Sequence, residues 1–361
     1  MRTAPSRPRR WRRPGAAALV AVVALTLASC GTEEPVTPNP VTVTPTVEPV
    51  RTTPPEPVVP VTWPLTGVET AEVAARPAVA VKIENSTAAR PQEGLDQADV
   101  VWEAIIDFDV SRLVAIFHSQ VPEQIGPIRS VRPMDMAITK PYGGPLVYSG
   151  GQPGILAMVG DAGLQGMNFD YAAPGLYRVR TRSAPHNVYG SVQTFIDNAD
   201  AGHNQPPPPQ FAFARLAAQA SAVVGGAPTS RVSFSLSSQA KPAWDWDAAS
   251  GTWLRSEGST PATVASGARI AATNVVAVVA PHPNTGFGAQ NGAPVPTYEL
   301  VGEGQALVAT GGMTLEVTWR KAALDAPLEL VAADGSVVTL APGNTWVELV
   351  PLGTGSYQVA P

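Results

Sequence analysis

Cysteine is almost absent from this 361-residue chain: Cys30 is the only one. No intrachain disulfide can form, no cysteine cluster can hold zinc, and the body of the chain has no cysteine nucleophile. Histidine is scarce too. His118, His186, His203 and His282 lack metal-ligand spacing, so no metal site is expected. The chain has no G-x-S-x-G elbow, P-loop, H-E-x-x-H pair or dinucleotide-binding glycine pattern, and no cofactor is expected. Gly286-Phe287-Gly288 and Gly302-Glu303-Gly304 are incomplete glycine patterns that read as turns. Charged residues make up only 15% of the chain, and its apolar run near the start, Gly15–Leu27, is too short to cross a bilayer as a stable helix.

The net charge of −5 hides a split. The first 29 residues carry six arginines and no acid, leaving 18 basic against 29 acidic residues, a net of −11, for the rest. Bulk electrostatics of that sign disfavour nucleic acid and anionic lipid as partners, while leaving room for a local cationic pocket. With 44% hydrophobic residues the chain can bury one large or two modest cores, and its 38 prolines and 32 glycines favour turns over long helices.

A basic start followed by a short apolar run is a secretory signal, assigned here to residues 1–29. It ends in Leu27-Ala28-Ser29-Cys30-Gly31, which resembles a bacterial lipobox. Cys30 is then a thioether anchor for diacylglycerol, and palmitate-type acyl chains hold the protein to the membrane at about 0.8 kcal/mol per buried CH₂. The expected location is the extracytoplasmic face of the bacterial cell membrane. The stretch 30–75 is Pro/Thr/Val-rich without helix or strand period and reads as an extended tether. At about 3 Å per residue it reaches roughly 100 Å.

The folded part is expected as an N-terminal α/β domain over 76–205 and a mainly-β domain over 211–361, divided at Pro206–Pro209. Strands are expected at Ala78–Ile83, Val100–Ile106, Leu113–Phe117 and Leu146–Tyr148, with helices over Met134–Lys140, Pro153–Val159, Val192–Asn198 and Phe211–Val224. Beyond Arg231 the pattern is mainly strands, including Thr252–Arg255, Thr297–Leu300, Gln305–Thr310, Met313–Trp319 and Thr345–Val350. The overall class is α+β: mixed β-sheets with flanking helices in a layered sandwich, strand-rich toward the C-terminus.

The chemistry concentrates between Ile83 and Pro133. Glu103 sits inside an apolar strand, where a carboxylate must be paired, protonated or solvated. Arg112, Arg129 and Arg132 are its candidate partners. They form either a pocket that grips a phosphate, carboxylate or sulfate, with Asp99 and Glu103 ordering it, or a closed ion-pair network pinning the strands. Gly126–Pro133 places two arginines at a turn before a helix start, a candidate anion site or a pair of solvent-facing caps. Ser149-Gly150-Gly151 ends a strand before a helix, either as a ligand approach or a tight turn. Ser149 as nucleophile would need His186 as base, whereas His186-Asn187 more readily orders a loop. Arg90 completes the set of candidate ligand-binding residues. Asp245 and Asp247 lack the other ligands of a calcium loop, and the tryptophans read mainly as core.

Several stretches together resemble the YerB-like family, bacterial lipoproteins with two domains of unknown function. They are Ala89-Arg90-Pro91-Gln92, Gln97-Ala98-Asp99-Val100-Val101 with Glu103, Arg112 with Ala115-Ile116-Phe117, and Gly126 through Pro133. Ser149-Gly150-Gly151, Pro185-His186-Asn187-Val188-Tyr189, Thr273-Asn274-Val275-Val276 and Gly343-Asn344-Thr345-Trp346-Val347 extend the likeness over roughly Pro77 to Pro351. The chain departs from the family at Phe108-Asp109-Val110-Ser111, where relatives tend to have a glycine-rich step. The resemblance implies the α+β fold and an envelope location but brings no activity. The expectation is a lipid-anchored envelope protein that binds an anionic wall-associated ligand or a partner protein. The alternatives are a phosphodiester or glycoside hydrolase with Glu103 or Asp99 as acid/base, and a structural scaffold for envelope proteins.

Overall fold

The computed structural model describes residues 59–289 and 292–361. The signal peptide, Cys30 and the tether up to residue 58 lie outside the described residues. The folded part begins earlier than the expected tether end at residue 75. Leu65 is 1% exposed, and Trp63 sets its ring edge-on to His118 at 5.2 Å. An isolated leucine and tryptophan within a proline-rich stretch give no periodicity, so their docking is a tertiary effect.

The first half supplies β1 (Val79–Glu84), β2 (Val100–Ile105), β3 (Ser111–Phe117), α1 (Asp135–Thr139), β4 (Leu146–Tyr148), α2 (Pro153–Asp161), β5 (Gly166–Asn168), β6 (Leu176–Arg178), β7 (Val188–Gly190) and α3 (Val192–Asp197). The second half supplies β8 (Arg231–Ser235), β9 (Pro242–Asp247), β10 (Thr252–Glu257), β11 (Asn274–Ala280), β12 (Asn284–Gly288), β13 (Pro294–Pro296), β14 (Gly302–Thr310), β15 (Met313–Lys321), β16 (Glu329–Val331), β17 (Thr345–Pro351) and β18 (Ser356–Ala360). One large mixed sheet runs β16-β15-β14-β11-β17-β2-β3-β1-β4-β5, and so takes strands from both halves. A second sheet contains β10-β9-β8-β18. Trp244 on β9 donates its indole N–H to Glu348 on β17 at 2.8 Å, across the two sheets. The fold is α+β with mixed sheets.

Continuous apolar runs mark strands covered on both faces. β1, β2, β3 and β17 bear this out, being buried along their whole length. The hairpin of β2 and β3 is antiparallel, with Val101 opposite Ala115 and Glu103 opposite Leu113. β1 pairs antiparallel with β3 and parallel with β4, and β4 pairs parallel with β5. The lysine inside β1 is paired. Lys82 Nζ lies 2.6 Å from Asp135 Oδ1, with both side chains fully enclosed. Burial pushes the Lys82 ammonium down, and Asp135 opposes that shift.

Two expectations differ. Phe211–Val224 is not one helix. Ala212–Phe213 pairs in parallel with Thr339–Leu340, and the helix is confined to Ser221–Gly225. Tertiary pairing overrides the helix preference of an alanine-rich run. Thr297–Leu300 forms no strand. Tyr298 instead sends its hydroxyl to the Leu349 carbonyl at 3.0 Å. The turn of the β2–β3 hairpin holds Phe108 at φ 65° and Asp109 at φ 58°. A side chain in that left-handed region costs about 1–3 kcal/mol. The loop after β8 holds it there: Gln239 Nε2 donates to the Phe108 carbonyl at 2.8 Å, and Ser238 Oγ to Asp109 Oδ2 at 2.7 Å.

Candidate functional site: an arginine-lined pocket at the carboxyl edge of the large sheet

β1, β2, β4, β5, β11 and β17 run in one direction, so their carboxyl ends share one edge of the sheet. The crevice outside the carboxyl ends of parallel strands is where open α/β sheets place their ligands. Here that edge holds a cavity of about 680 Å³. Glu84 and Ser86 enter from the end of β1, Asp107 and Phe108 from the end of β2, Ser149, Gly150 and Gly151 from the end of β4, and Asp170 from beyond β5. Arg112 enters at the start of β3, directly across from Glu84 in the register.

The segment Ile128–Arg132 is threaded between β1 and β4, which brings two more arginines to this edge. Arg129 donates its backbone N–H to Lys82 at 2.8 Å, and its carbonyl accepts from Ser149 N at 2.9 Å. Val131 N donates to the Gly150 carbonyl at 3.1 Å, and Arg132 N to Asp135 Oδ2 at 2.7 Å. α2 opens at Pro153, beside the pocket, with no side chain capping its first turn. Its unpaired backbone N–H groups favour negative charge there. Gly150 has φ 77°, and a Cβ on it would meet Asp170 Oδ2 at 2.4 Å, so the glycine permits both the turn and the close approach.

The arginines differ in how their charge is met. Arg132 Nε is 2.5 Å from Asp107 Oδ1. Burial alone would raise the Asp107 carboxyl, but the Arg132 guanidinium holds it below the usual range. Arg129 Nε is 3.3 Å from Glu84 Oε2 without hydrogen-bond geometry. Glu84 also receives His186 Nδ1 at 2.9 Å and the Ser86 hydroxyl at 2.8 Å. Arg112 is different. It is 6% exposed and donates from Nη1 to the Ser130 carbonyl at 2.9 Å. Among the described residues no carboxylate lies within 4.0 Å of its guanidinium. Burial, then repulsion from Arg132 and Arg129, pushes its pKa down to about 9. An oxyanion in the cavity would relieve that repulsion.

Of the candidate residues, Arg112, Arg129, Arg132, Ser149 and His186 line this one cavity. Ser149 Oγ donates to the Ile128 carbonyl at 2.9 Å, and the base contact to His186 that a nucleophile needs is not among its hydrogen bonds. Glu103 and Asp99 are not brought there. Glu103 is wholly enclosed and bonds to Arg255, with Nη2 to Oε2 at 2.5 Å, not to any of the three expected arginines. Arg255 also meets Glu348 at 2.7 Å and Glu257 at 2.9 Å. Arg90 joins that second cluster through Glu257 at 3.0 Å and lines a separate cavity of about 430 Å³ beside Arg255 and Trp346. Asp99 accepts the backbone N–H groups of His118 at 2.6 Å and Ser119 at 2.8 Å at the end of β3, and burial raises its pKa despite these bonds. Glu103 is sealed from any cleft, and Asp99 lines a separate cavity of about 400 Å³ that holds neither Glu103 nor any of the three arginines, so the expected acid/base carboxylates are not brought beside them. The three arginines thus line a cavity, while Glu103 sits in a closed network elsewhere, with Arg255 as its partner. Glu84 and Asp107 replace Glu103 and Asp99 as the acids beside the arginines.

The comparisons with known proteins agree with this fold. Residues 65–205 match the family model described as "Protein of unknown function (DUF3048) N-terminal domain", and residues 231–347 match its C-terminal domain. "Putative lipoprotein YerB" of Bacillus subtilis is 37% identical over 130 residues, which span 36% of this chain and 39% of that protein. The crystal structure of YerB protein from Bacillus subtilis superposes with a TM-score of 0.69 at 26% identity, covering 82% of this chain and 99% of that one.

Proposed function

On the premise that this chain belongs to the YerB-like family of two-domain bacterial proteins of unknown function, we propose that it is a lipid-anchored envelope protein that binds an oxyanion in the pocket of Arg112, Arg129 and Arg132. The anchor is Cys30, in keeping with the lipobox of the sequence and with the printed name of the Bacillus relative. The ligand is a phosphate- or carboxylate-bearing component of the wall, or an acidic segment of a partner protein. One observation carries the reading: a buried guanidinium, Arg112, lines an open cavity with two further arginines, and among the described residues no carboxylate lies within 4.0 Å of it. Charge-assisted bonds from arginine to an oxyanion are about twice as strong as neutral ones.

The test is equilibrium binding of inorganic phosphate and of anionic wall fragments to the purified chain. Arg112→Gln removes the charge while keeping a polar side chain, and it should lower affinity at least about ten-fold. The double variant Arg129→Ala plus Arg132→Ala should do the same. Unchanged affinity in both variants removes the proposal.

The contact between Glu84 and His186 favours a second reading, an ester hydrolase. Glu84 on Nδ1 orients the imidazole so that Nε2 is the base. Water would lose its proton to Nε2 and attack phosphorus, and the leaving alcohol would take that proton back. The arginines would hold the developing charge. Release of nitrophenol from bis(p-nitrophenyl) phosphate, lost in His186→Ala, supports it. No turnover above the His186→Ala background ends it. A scaffold role draws on no feature of the cavity.

A further inference from the structure

We infer that the oxyanion taken by this pocket is joined to an apolar group, and that Phe108 packs against that group. The inference rests on the anion-binding reading above and narrows its ligand class to amphiphilic monoesters or acids. The first support is size. At about 680 Å³ the cavity falls in the range of sites for drug-sized molecules, far beyond what one phosphate fills. The second is the mixed lining. Besides the three arginines, Ile106, Val110, Ile155 and Val295 line the same cavity.

The third support is Phe108 itself. A phenylalanine that is 51% exposed at a cavity rim gains little from folding. Yet the chain holds it at φ 65°, a left-handed backbone conformation that disfavours any side chain. Three side chains of the loop after β8 bond to this turn: Gln239 to the Phe108 carbonyl at 2.8 Å, Ser237 to the Asp109 carbonyl at 2.5 Å and Ser238 to the Asp109 carboxylate at 2.7 Å. The ring is therefore presented from a fixed backbone. Strain held by its surroundings at the rim of a cavity is what a preorganised ligand contact requires.

Titration calorimetry of the full chain with inorganic phosphate, methyl phosphate, phenyl phosphate and hexyl phosphate tests this. Phenyl or hexyl phosphate should bind at least about ten-fold more tightly than methyl phosphate, the gain expected from burying a ring or short chain. A gain for the phenyl ester alone points to a compact ring, and a gain for both to an extended lipid-like chain. Phe108→Ala should shrink the gain to within about three-fold while leaving inorganic phosphate binding unchanged, and Phe108→Tyr should restore it. Equal affinity for methyl, phenyl and hexyl phosphate overturns the inference while sparing the anion site, as does a Phe108→Ala loss that is the same for every ligand. Absence of binding for all four overturns the anion site, and this inference with it.

Discussion

Replacing Arg255 by methionine removes the one cation at the centre of the buried network. Its guanidinium is 1% exposed, touches Glu103, Glu348 and Glu257, and lies 4.5 Å from the ring centre of Trp346 and 5.4 Å from that of Trp244. The charges balance as follows. Burial, then the charge of Glu103, pushes the Glu348 carboxyl well above its ordinary value, which favours its neutral form. Its Oε2 has no hydrogen-bond partner among the described residues. Arg255 neutralises Glu103, and Arg90 neutralises Glu257. Methionine fills the space but leaves Glu103 enclosed without a counter-charge, at a cost of about 3–5 kcal/mol. That is roughly a fifth or more of the stability of an ordinary domain.

Urea denaturation at pH 7 measures the loss, and pH gives an internal check. Burial alone would raise Glu103, but Arg255 overrides it and holds its folded pKa below the unfolded value. Its contribution is therefore present above the unfolded carboxylate range and lost as pH falls through the folded value. In the variant Glu103 has no counter-charge and burial raises its pKa, so the penalty shrinks in acid. The gap between the two proteins should be largest near neutrality and narrow toward pH 4. A loss under about 1 kcal/mol, or one indifferent to pH, would refute a charge-balanced network.

Glu348→Gln mimics the protonated carboxyl. The folded pKa of Glu348 is raised, so its stabilisation is lost as pH rises from the unfolded toward the folded value. The variant should match the wild type near pH 5 and gain on it above, as read by melting temperature against pH. A deficit of about 2 kcal/mol at pH 8 would contradict this. Lys82→Met leaves Asp135 enclosed and should cost about 3–5 kcal/mol in urea. Because Asp135 also fixes the Arg132 backbone, phosphate affinity should fall with it. Gly150→Ala forces a left-handed alanine, costing about 1–2 kcal/mol by thermal melting. Adding Asp170→Ala should relieve the clash but not the backbone cost, so full recovery would show the backbone term to be negligible.

The sequence by itself determined the elements whose cause is local. The apolar runs from Val79, Val100, Ser111 and Thr345 are strands because both faces need cover, and Pro153 starts a helix because its missing N–H costs nothing there. It also gathered five of the pocket residues, since Arg129 and Arg132 flank a short segment and Arg112 begins a strand. The partner of Glu103 is 152 residues away and became visible only in the structure. A period-two reading held a hint, since Arg255 shares a strand face with buried Trp253, and Glu348 with buried Trp346. Which inward charge meets which depends on β2 lying beside β17 with Glu103 opposite Glu348, and on β10 crossing above them. Short-range patterning fixes which way a side chain points. The alignment of strands far apart in the chain decides what it meets, and so which arginines are sealed in and which stay open to a ligand.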